Sequence, residues 1–214
     1  MNAPFYDIYK SYEENFRLGP YGLKKLDKPI FKRIKKKYTF LGFPVNLPFG
    51  IPSGPLLNSK FVKAAFDFGF PVVHYKTQRS TSILCNAYPN ILFVSIAGNL
   101  TLKKAEASLY VKSNVGKNPN TYSITNSFGN PSKGPKYWKN DMKKALKYAK
   151  KGQIMIASVV GTIKKGFTDK DYYNDFAKAA LHAKEAGAEI IELNLSCPNV
   201  ANEGVLCYSP SSVE

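Results

Sequence analysis

The sequence predicts an α/β fold with a parallel β-sheet, because short apolar segments alternate with amphipathic helices along the chain. Polar or small residues close each of the four apolar segments, at 49–55, 72–77, 153–161 and 189–199. Helical periodicity separates these segments, at 58–69, 138–151 and 169–186. In a parallel sheet the residues that follow the strands meet at one edge, which is where ligands bind. The sequence therefore predicts a sheet and also the edge of it that carries a site.

The composition is that of a globular domain. The chain has 214 residues, 44% of them hydrophobic, and includes 14 Tyr and 14 Phe. Its 3 cysteines lack the spacing of metal ligands, and their odd number favours a reducing cytoplasm. The net charge of +16 comes from lysines spread along the chain without a zinc-finger or RNA-binding motif, so we interpret it as a solvated basic surface. We expect no nucleic-acid partner, no metal and no integral membrane segment.

The chain divides into an N-terminal extension over 1–37 and a domain over 38–214. In the extension, Phe5, Ile8, Tyr12 and Phe16 recur at helical spacing, which predicts a helix with one apolar face. The domain begins at 38–48 with apolar residues alternating around a glycine and a proline, which predicts a hairpin. We expect 98–118, rich in Lys, Ser and Asn, to be an exposed insertion.

The last strand runs into Asn194-Leu195-Ser196-Cys197-Pro198-Asn199, which places two carboxamides, a hydroxyl and a thiol in one short loop. This hexapeptide resembles the signature of the dihydroorotate dehydrogenase family, FMN enzymes built on a (β/α)8 barrel. The resemblance implies oxidation of dihydroorotate to orotate in pyrimidine synthesis, with Cys197 as the base and FMN as the hydride acceptor. An inert thiol in an ordinary turn is the alternative.

Further segments at the predicted strand ends resemble family motifs. They are Pro52-Ser53-Gly54, Lys76-Thr77, Ser158 and the loop Asn126-Ser127-Phe128-Gly129-Asn130. The resemblance implies FMN contacts from Pro52, Ser53, Gly54, Lys76, Thr77, Ser158 and Asn194. It implies substrate contacts from Lys76, Asn126, Ser127, Phe128, Gly129, Asn130, Asn194 and Asn199.

Each residue type suits the role that the resemblance gives it. Small residues let a planar ring approach the backbone, a buried lysine stabilises negative charge, and a carboxamide both donates to and accepts from a pyrimidine. Three features depart from the family. Proline replaces an alanine at Pro52, Gln78-Arg79 stands where small residues are usual, and the turn 86–90 lacks the family's arginine.

Several alternatives stay open. Cys207 could be the reactive cysteine, as in the related dihydropyrimidine dehydrogenases. The protein could be a dihydropyrimidine- or tRNA-reducing flavoenzyme, or an inactive fragment that lacks half of the flavin site. The family also implies a homodimer and an electron acceptor that is fumarate, NAD or a quinone. The resemblance covers only about the first four βα units of the barrel, so we expect the chain to be truncated, and a doubly wound open sheet is the alternative.

Overall fold

The computed structural model of the protein describes residues 5–20, 38–113, 118–197 and 206–213. The strands are β1 (Tyr38–Phe40), β2 (Phe43–Val45), β3 (Gly50–Ile51), β4 (Val72–Gln78), β5 (Ser82–Ile83), β6 (Ile91–Ser95), β7 (Tyr110–Val111), β8 (Ile124–Asn126), β9 (Ser132–Lys133), β10 (Ile154–Val159) and β11 (Ile190–Leu193). The α-helices are α1 (Tyr12–Leu18), α2 (Ser59–Phe68), α3 (Leu102–Glu106), α4 (Pro135–Leu146), α5 (Asp169–Glu185) and α6 (Pro210–Val213). Short 3-10 turns lie at Pro119–Thr121 and Leu206–Tyr208.

The central sheet has 4 parallel strands in the order β3-β4-β10-β11. Their order in the sheet is their order in the sequence, and each connection between neighbouring strands includes one helix that packs on the sheet: α2, α4 and α5 in turn. These four parallel strands confirm the predicted α/β fold with a parallel sheet. Within the described residues the sheet is open and does not close into a barrel.

The register between β4 and β10 shifts near the end of the two strands. Tyr75 pairs with Ala157, whereas Gln78 pairs with Val159, so β4 has one more residue than its partner over this stretch. A bulge of this kind turns the side chains that it contains away from the regular alternation. The two residues in the bulge are Lys76 and Thr77, both of which belong to the predicted site.

Helices α2, α4 and α5 cover one face of the sheet. Local signals fix α2: Asn58 caps its first turn with its side chain, and Gly69 ends it with a left-handed backbone at φ 95°. The buried carboxylate of Asp141, in α4, accepts hydrogen bonds of 2.7 Å from Ser59 Oγ, from Ser59 N and from Tyr75 Oη. These bonds attach α4 to α2 and to β4, and a shared core including Phe61, Val73, Trp138 and Met142 fills the space between them.

The predicted hairpin, β1–β2, packs on the opposite face of the sheet. Its Val45 lies in one apolar cluster with Val72, Ile156 and Ile190, which stand at or near the starts of their strands. The hairpin therefore covers the face of the sheet opposite the helices, at the end remote from the predicted site. This face is called the inner face below. The segment around 98–118 is exposed where it is described, as predicted, and contributes α3 and β7; β7 pairs with β6, which also pairs with β8.

The N-terminal helix is shorter than the apolar spacing predicts, so the expected continuous helix through Phe5 and Ile8 is wrong. A capping box formed by Ser11 and Glu14 starts α1 at Tyr12. Before it, the buried Asn15 side chain accepts from Asp7 N at 2.8 Å and donates to Asp7 O at 2.9 Å, which holds the preceding residues in a turn. Phe5 still packs on the core, against Phe61 and Phe68. The expected boundary at 37/38 adjoins residues 21–37, which lie outside the described residues.

Candidate active site

Side chains that lie on the four parallel strands or just after them are hydrogen-bonded to one another at the carboxyl edge of the sheet. Thr77 Oγ1 lies 3.0 Å from Ser53 Oγ and 3.0 Å from Ser158 Oγ, and it accepts a 3.2 Å hydrogen bond from Asn194 Nδ2. Ser158 Oγ donates to Glu192 Oε1 at 2.7 Å. We call this set, Ser53, Thr77, Ser158, Glu192 and Asn194, the hydroxyl ladder. Four of its five members are residues for which the family resemblance implies FMN contacts.

Lys76, next to the ladder, is only 3% exposed. Its backbone N–H donates to Leu56 O at 3.2 Å, and its Nζ lies 5.6 Å from the centroid of the Phe128 ring. Burial lowers the pKa of Lys76 from 10.5 to about 8, and the opposing fields of Cys197 and Cys85 only partly offset this effect. The site thus contains a buried amine that loses its proton at a lower pH than an ordinary lysine.

The loop that contains Phe128 reaches this lysine because two asparagines hold it in place. Asn86 Nδ2 donates to Ser127 Oγ at 2.8 Å, and Asn90 Nδ2 donates to the carbonyl oxygens of Asn86, Ala87 and Ser127. The Phe128 ring packs edge-on against Tyr6 and Tyr12, at centroid distances of 5.4 and 5.7 Å. Asn90 is buried and occupies the position in the turn 86–90 where the family has an arginine. Its hydrogen bonds hold the loop that contains Phe128.

The other residues of this loop differ in exposure. Asn126 and Ser127 are exposed, whereas Asn130 is 6% exposed and has a left-handed backbone at φ 46°. The Nδ2 atom of Asn130 has no described hydrogen-bond partner. Gly129 has a φ of 73°, and a Cβ on it would lie 2.6 Å from Asn86 Oδ1, so both its backbone and its surroundings require glycine.

Arg79, noted in the sequence as a departure from the family, is a structural member of the site at 2% exposure. Its Nε donates to Asn130 O at 3.0 Å, and its Nη1 donates to Gly161 O at 2.8 Å and to Thr162 Oγ1 at 2.9 Å. The guanidinium therefore joins the loop 126–131 to the loop that follows β10. Its five N–H donors suit this work, which the small residue usual in the family could not do.

Cys197 and Cys207 are placed differently. Cys197 is half-buried and lies within electrostatic range of Lys76, whereas Cys207 is exposed and its backbone N–H donates to Leu195 O at 3.2 Å. Asn194 Oδ1 accepts from Ser196 N at 3.3 Å, which fixes the start of the cysteine loop. Asn199, a predicted substrate ligand, lies outside the described residues. Within the described ranges, no group of His, Cys, Asp and Glu could hold a metal ion.

The loop after β3 offers an open backbone surface. Pro52 and Gly54 are exposed while Ser53 between them is buried, and a Cβ added to Gly54 would meet no atom within 4 Å. A flat ring system could therefore approach this backbone. These residues fit the FMN that the family resemblance implies.

Two titratable residues at the site were not among the predicted ligands. Glu192 receives the Ser158 hydroxyl, and His74 Nδ1 lies 2.9 Å from Glu192 Oε2. His74 lies two residues before Lys76 on β4. The sequence signal for both was their position on apolar strands, where a charged side chain requires a partner.

The fold and this polar edge define an α/β protein of the parallel-sheet class, with its ligand site at the carboxyl ends of the strands. A curated dihydroorotate dehydrogenase of Dictyostelium discoideum is 37% identical over 219 residues, which cover 100% of this chain and 58% of that protein. A solved structure of the dihydroorotate dehydrogenase of Eimeria tenella in complex with ferulenol has a TM-score of 0.51 at 18% identity, over 78% of this chain and 38% of its own. A ligand-free form of that protein gives a TM-score of 0.48 at 17% identity, over 77% and 39%. No protein-family model matches the chain.

The identity along the whole chain confirms the resemblance that the motifs indicate: the chain is related to the dihydroorotate dehydrogenase family. It spans little more than half the length of that curated relative, so it corresponds to a part of such a protein. The likeness to the ferulenol complex shows the fold alone. Within the described ranges, no helix has the length and apolarity needed to cross a membrane.

Proposed function

We propose that this chain supplies the substrate-binding and proton-abstracting part of an FMN-dependent dihydroorotate dehydrogenase of the cysteine-base branch. The observation that carries the proposal is the buried Lys76, which adjoins Thr77 of the hydroxyl ladder on β4, has its Nζ 5.6 Å from the centroid of the Phe128 ring, and lies within electrostatic range of Cys197. A buried cation with no carboxylate partner among the described residues is suited to an anionic heterocycle.

Seven residues would hold FMN: Pro52, Ser53, Gly54, Lys76, Thr77, Ser158 and Asn194. The open backbone at 52–54 would receive the ring, while the ladder fixes the polar groups beneath it. When bound, FMN supplies the acceptor for the hydride that leaves C6 of dihydroorotate. Lys76, protonated at neutral pH, would stabilise the negative charge that this transfer places near it.

The substrate would lie between the cysteine loop and the loop 126–130. Carboxamides of Asn126, Asn130, Asn194 and Asn199 would donate to and accept from the edge of the pyrimidine, and Ser127, Phe128 and Gly129 would contribute the rest of the surface. Cys197, as the thiolate, would take the proton from C5 while the bond between C5 and C6 becomes double. Cys197, unlike the exposed Cys207, is among the residues whose field acts on Lys76, which supports Cys197 as the base.

We further propose that additional strands complete a (β/α)8 barrel around this sheet. A cavity of about 350 Å³ lies between the hairpin, β3 and the inner face of β4, and its lining includes Phe40, Leu47, Phe49 and Ile51. An apolar cavity beside an edge strand suits the packing of further strands. All three cysteines are free thiols, which supports the cytoplasm as the compartment.

The absorption spectrum of the purified full-length protein tests the cofactor. Bound flavin absorbs in the visible region and is released on denaturation in equimolar amount. A protein that stays colourless after incubation with FMN would refute the FMN proposal and leave the related fold as an inactive one.

Cys197→Ala in the full-length protein tests the base, with Cys207→Ala as the matched control. Cys197→Ala should retain FMN and orotate binding, because the asparagines and Lys76 remain. Flavin reduction by dihydroorotate, followed in a stopped-flow spectrometer, should slow by roughly 10²–10⁴-fold, the usual contribution of a positioned base. Cys207→Ala should react at nearly the wild-type rate. The opposite result would assign the base to Cys207 and favour the dihydropyrimidine dehydrogenase arrangement.

A further inference from the structure

Every member of the hydroxyl ladder bonds to another member, so the hydrogens along it are not independent. Each hydroxyl group has one hydrogen to donate and two lone pairs to accept with. At the Ser53–Thr77 contact and at the Thr77–Ser158 contact, either of the two oxygens could be the donor. A charged group at one end of the ladder can therefore decide which group donates and which accepts at every hydrogen bond along it.

Glu192 is that end. Its Oε2 lies 2.9 Å from His74 Nδ1, and its Oε1 accepts the hydrogen bond from Ser158. The contact with His74 lowers the pKa of the Glu192 carboxyl, burial opposes this, and the hydrogen bond from Ser158 adds to it. Glu192 is therefore ionised at neutral pH, and an ionised carboxylate only accepts.

The ionised Glu192 determines the donor and the acceptor at each of the other hydrogen bonds. Ser158 gives its one hydrogen to Glu192, so it must accept from Thr77. Thr77 has then used its hydrogen, so it must accept from both Ser53 and Asn194. The Asn194 carboxamide can therefore face Thr77 only with its Nδ2, and its Oδ1 is left to accept from Ser196 N.

We infer that Glu192 is a positioning residue: through Ser158 and Thr77 it fixes the orientation of the Asn194 carboxamide and makes Ser53 an acceptor toward any ligand. This edge then presents one N–H of Asn194 as a donor and the lone pairs of Ser53 as acceptors. A ligand that reaches both must offer a carbonyl or anionic oxygen to Asn194 and an N–H or O–H to Ser53. The inference rests on the proposed function only in taking Asn194 to face a ligand.

Asn194→Asp tests the direction of the ladder because it replaces the donor by a group of the same shape that only accepts. In the full-length, flavin-free protein at pH 7, two acceptors would then face each other at Thr77. We expect the folding equilibrium constant from denaturant titration to fall by roughly 5- to 100-fold, the range for a buried polar group left unpaired.

Two further substitutions, each combined with Asn194→Asp, should remove most of this fall in the folding equilibrium constant. Glu192→Gln can donate to Ser158, so the ladder can reverse and Thr77 can donate to the new carboxylate. Ser158→Ala cuts the ladder and frees the Thr77 hydrogen while it keeps the charge of Glu192. In either background we expect Asn194→Asp to lower the folding constant by less than about 3-fold. Glu189→Gln, which removes a charge from an exposed residue just before β11, should leave the full loss in place.

The pattern of results separates the explanations. Relief by Glu192→Gln without relief by Ser158→Ala would show simple repulsion between two carboxylates and overturn the inference. A harmless Asn194→Asp in the unmodified background would also overturn it. Because these measurements use flavin-free protein, they stand whether or not the protein binds FMN.

A neutron crystal structure of the unmodified protein checks the inference without any substitution. We expect deuterium on Thr77 Oγ1 to point to Ser158 and deuterium on Ser53 Oγ to point to Thr77. Deuterium on Thr77 that points to Ser53 or to Asn194 would overturn it.

Discussion

The Lys76 side chain is only 3% exposed, and its amine lies 5.6 Å from the centroid of the Phe128 ring. Burial lowers the pKa of Lys76 in the folded protein from 10.5 to about 8. Between these two values the unfolded chain binds a proton that the folded chain does not, so stability rises with pH across this range. Below pH 8 Lys76 is protonated in both states, and the burial of its charge lowers the free energy of unfolding by about 3 kcal/mol.

Lys76→Met should therefore stabilise the ligand-free protein at pH 7, by up to about 3 kcal/mol in the free energy of unfolding. The gain should shrink as the pH rises above 8 and disappear near pH 10.5. Lys178→Met, at an exposed position of α5, is the control and should show no such pH dependence. Denaturant titrations between pH 6.5 and 10.5 measure both, and parallel curves for the two variants would contradict the buried charge.

The same substitution should have the opposite effect on the bound cofactor. Lys76→Met should weaken the binding of reduced FMN more than that of oxidised FMN, because reduction adds negative charge to the ring. Electrostatic stabilisers of this kind are worth about 2.7–4 kcal/mol, or a loss of roughly 10²–10³-fold. Titrations of both redox forms under anaerobic conditions measure the difference. Equal weakening of both would assign Lys76 to packing alone.

Single residues show where the sequence suffices and where it fails. The family resemblance implied site roles for Lys76, Thr77 and Ser158, and the structure places Thr77 Oγ1 3.0 Å from Ser158 Oγ, with Lys76 next to Thr77 on β4. Glu192 was not predicted, because its importance depends on a hydrogen bond from Ser158, 34 residues away and in another strand. Arg79 was read as a mismatch because its bonds run to the loops at 130 and 161–162, which no local pattern connects to it.

Among the structural elements, the loop 126–131 depends most on a single residue type. Gly129 has a φ of 73°, and a Cβ there would lie 2.6 Å from Asn86 Oδ1. Asn86 cannot easily move away, because its Nδ2 holds Ser127 and its backbone N–H donates to Phe128 O. The loop position that brings Phe128 to Lys76 therefore requires glycine.

Gly129→Ala should lose about 1–2 kcal/mol of stability from the left-handed backbone and roughly 1–3 kcal/mol more from the contact with Asn86. Gly98→Ala is the matched control, because Gly98 has a similar φ of 66° but no atom within 4 Å of an added Cβ. The difference between the two unfolding free energies isolates the contact. If the two variants lose equal stability, the Asn86 contact relaxes freely and the loop is less constrained than its geometry indicates.

Elements with local signals were predicted closely, and those that depend on distant contacts were not. Asn58 and Gly69 mark the two ends of α2, and the structure places its caps at both. The spacing of apolar residues in the N-terminal extension indicated a longer helix than α1. There Phe5 is apolar because it packs against α2, not because it lies on a helix face with Phe16. The bulge that turns Lys76 and Thr77 is likewise set by pairing with β10 and has no sequence signal.

At the scale of the whole molecule, the sheet has two edges. In the described part of the chain β3 pairs only with β4, and β11 pairs only with β10, so each presents unpaired backbone groups on its other side. Leu193, in β11, is 51% exposed, and the apolar cavity beside β3 is open to further packing. Edges of this kind pair with other chains unless something covers them.

We therefore predict that the 214-residue chain, expressed alone, associates with itself through these edges. Sedimentation velocity should show a broad, concentration-dependent distribution, and thermal unfolding should lack a single sharp transition. Leu193→Lys places a charge on the edge strand and should reduce the association, because charged edges resist pairing. Leu102→Lys is the matched control: it changes an 85% exposed leucine on α3, away from the parallel sheet, and should leave the association unchanged. A monodisperse monomer with one cooperative transition would contradict the prediction, and relief by Leu102→Lys instead would place the contact on the inserted segment and not on the sheet.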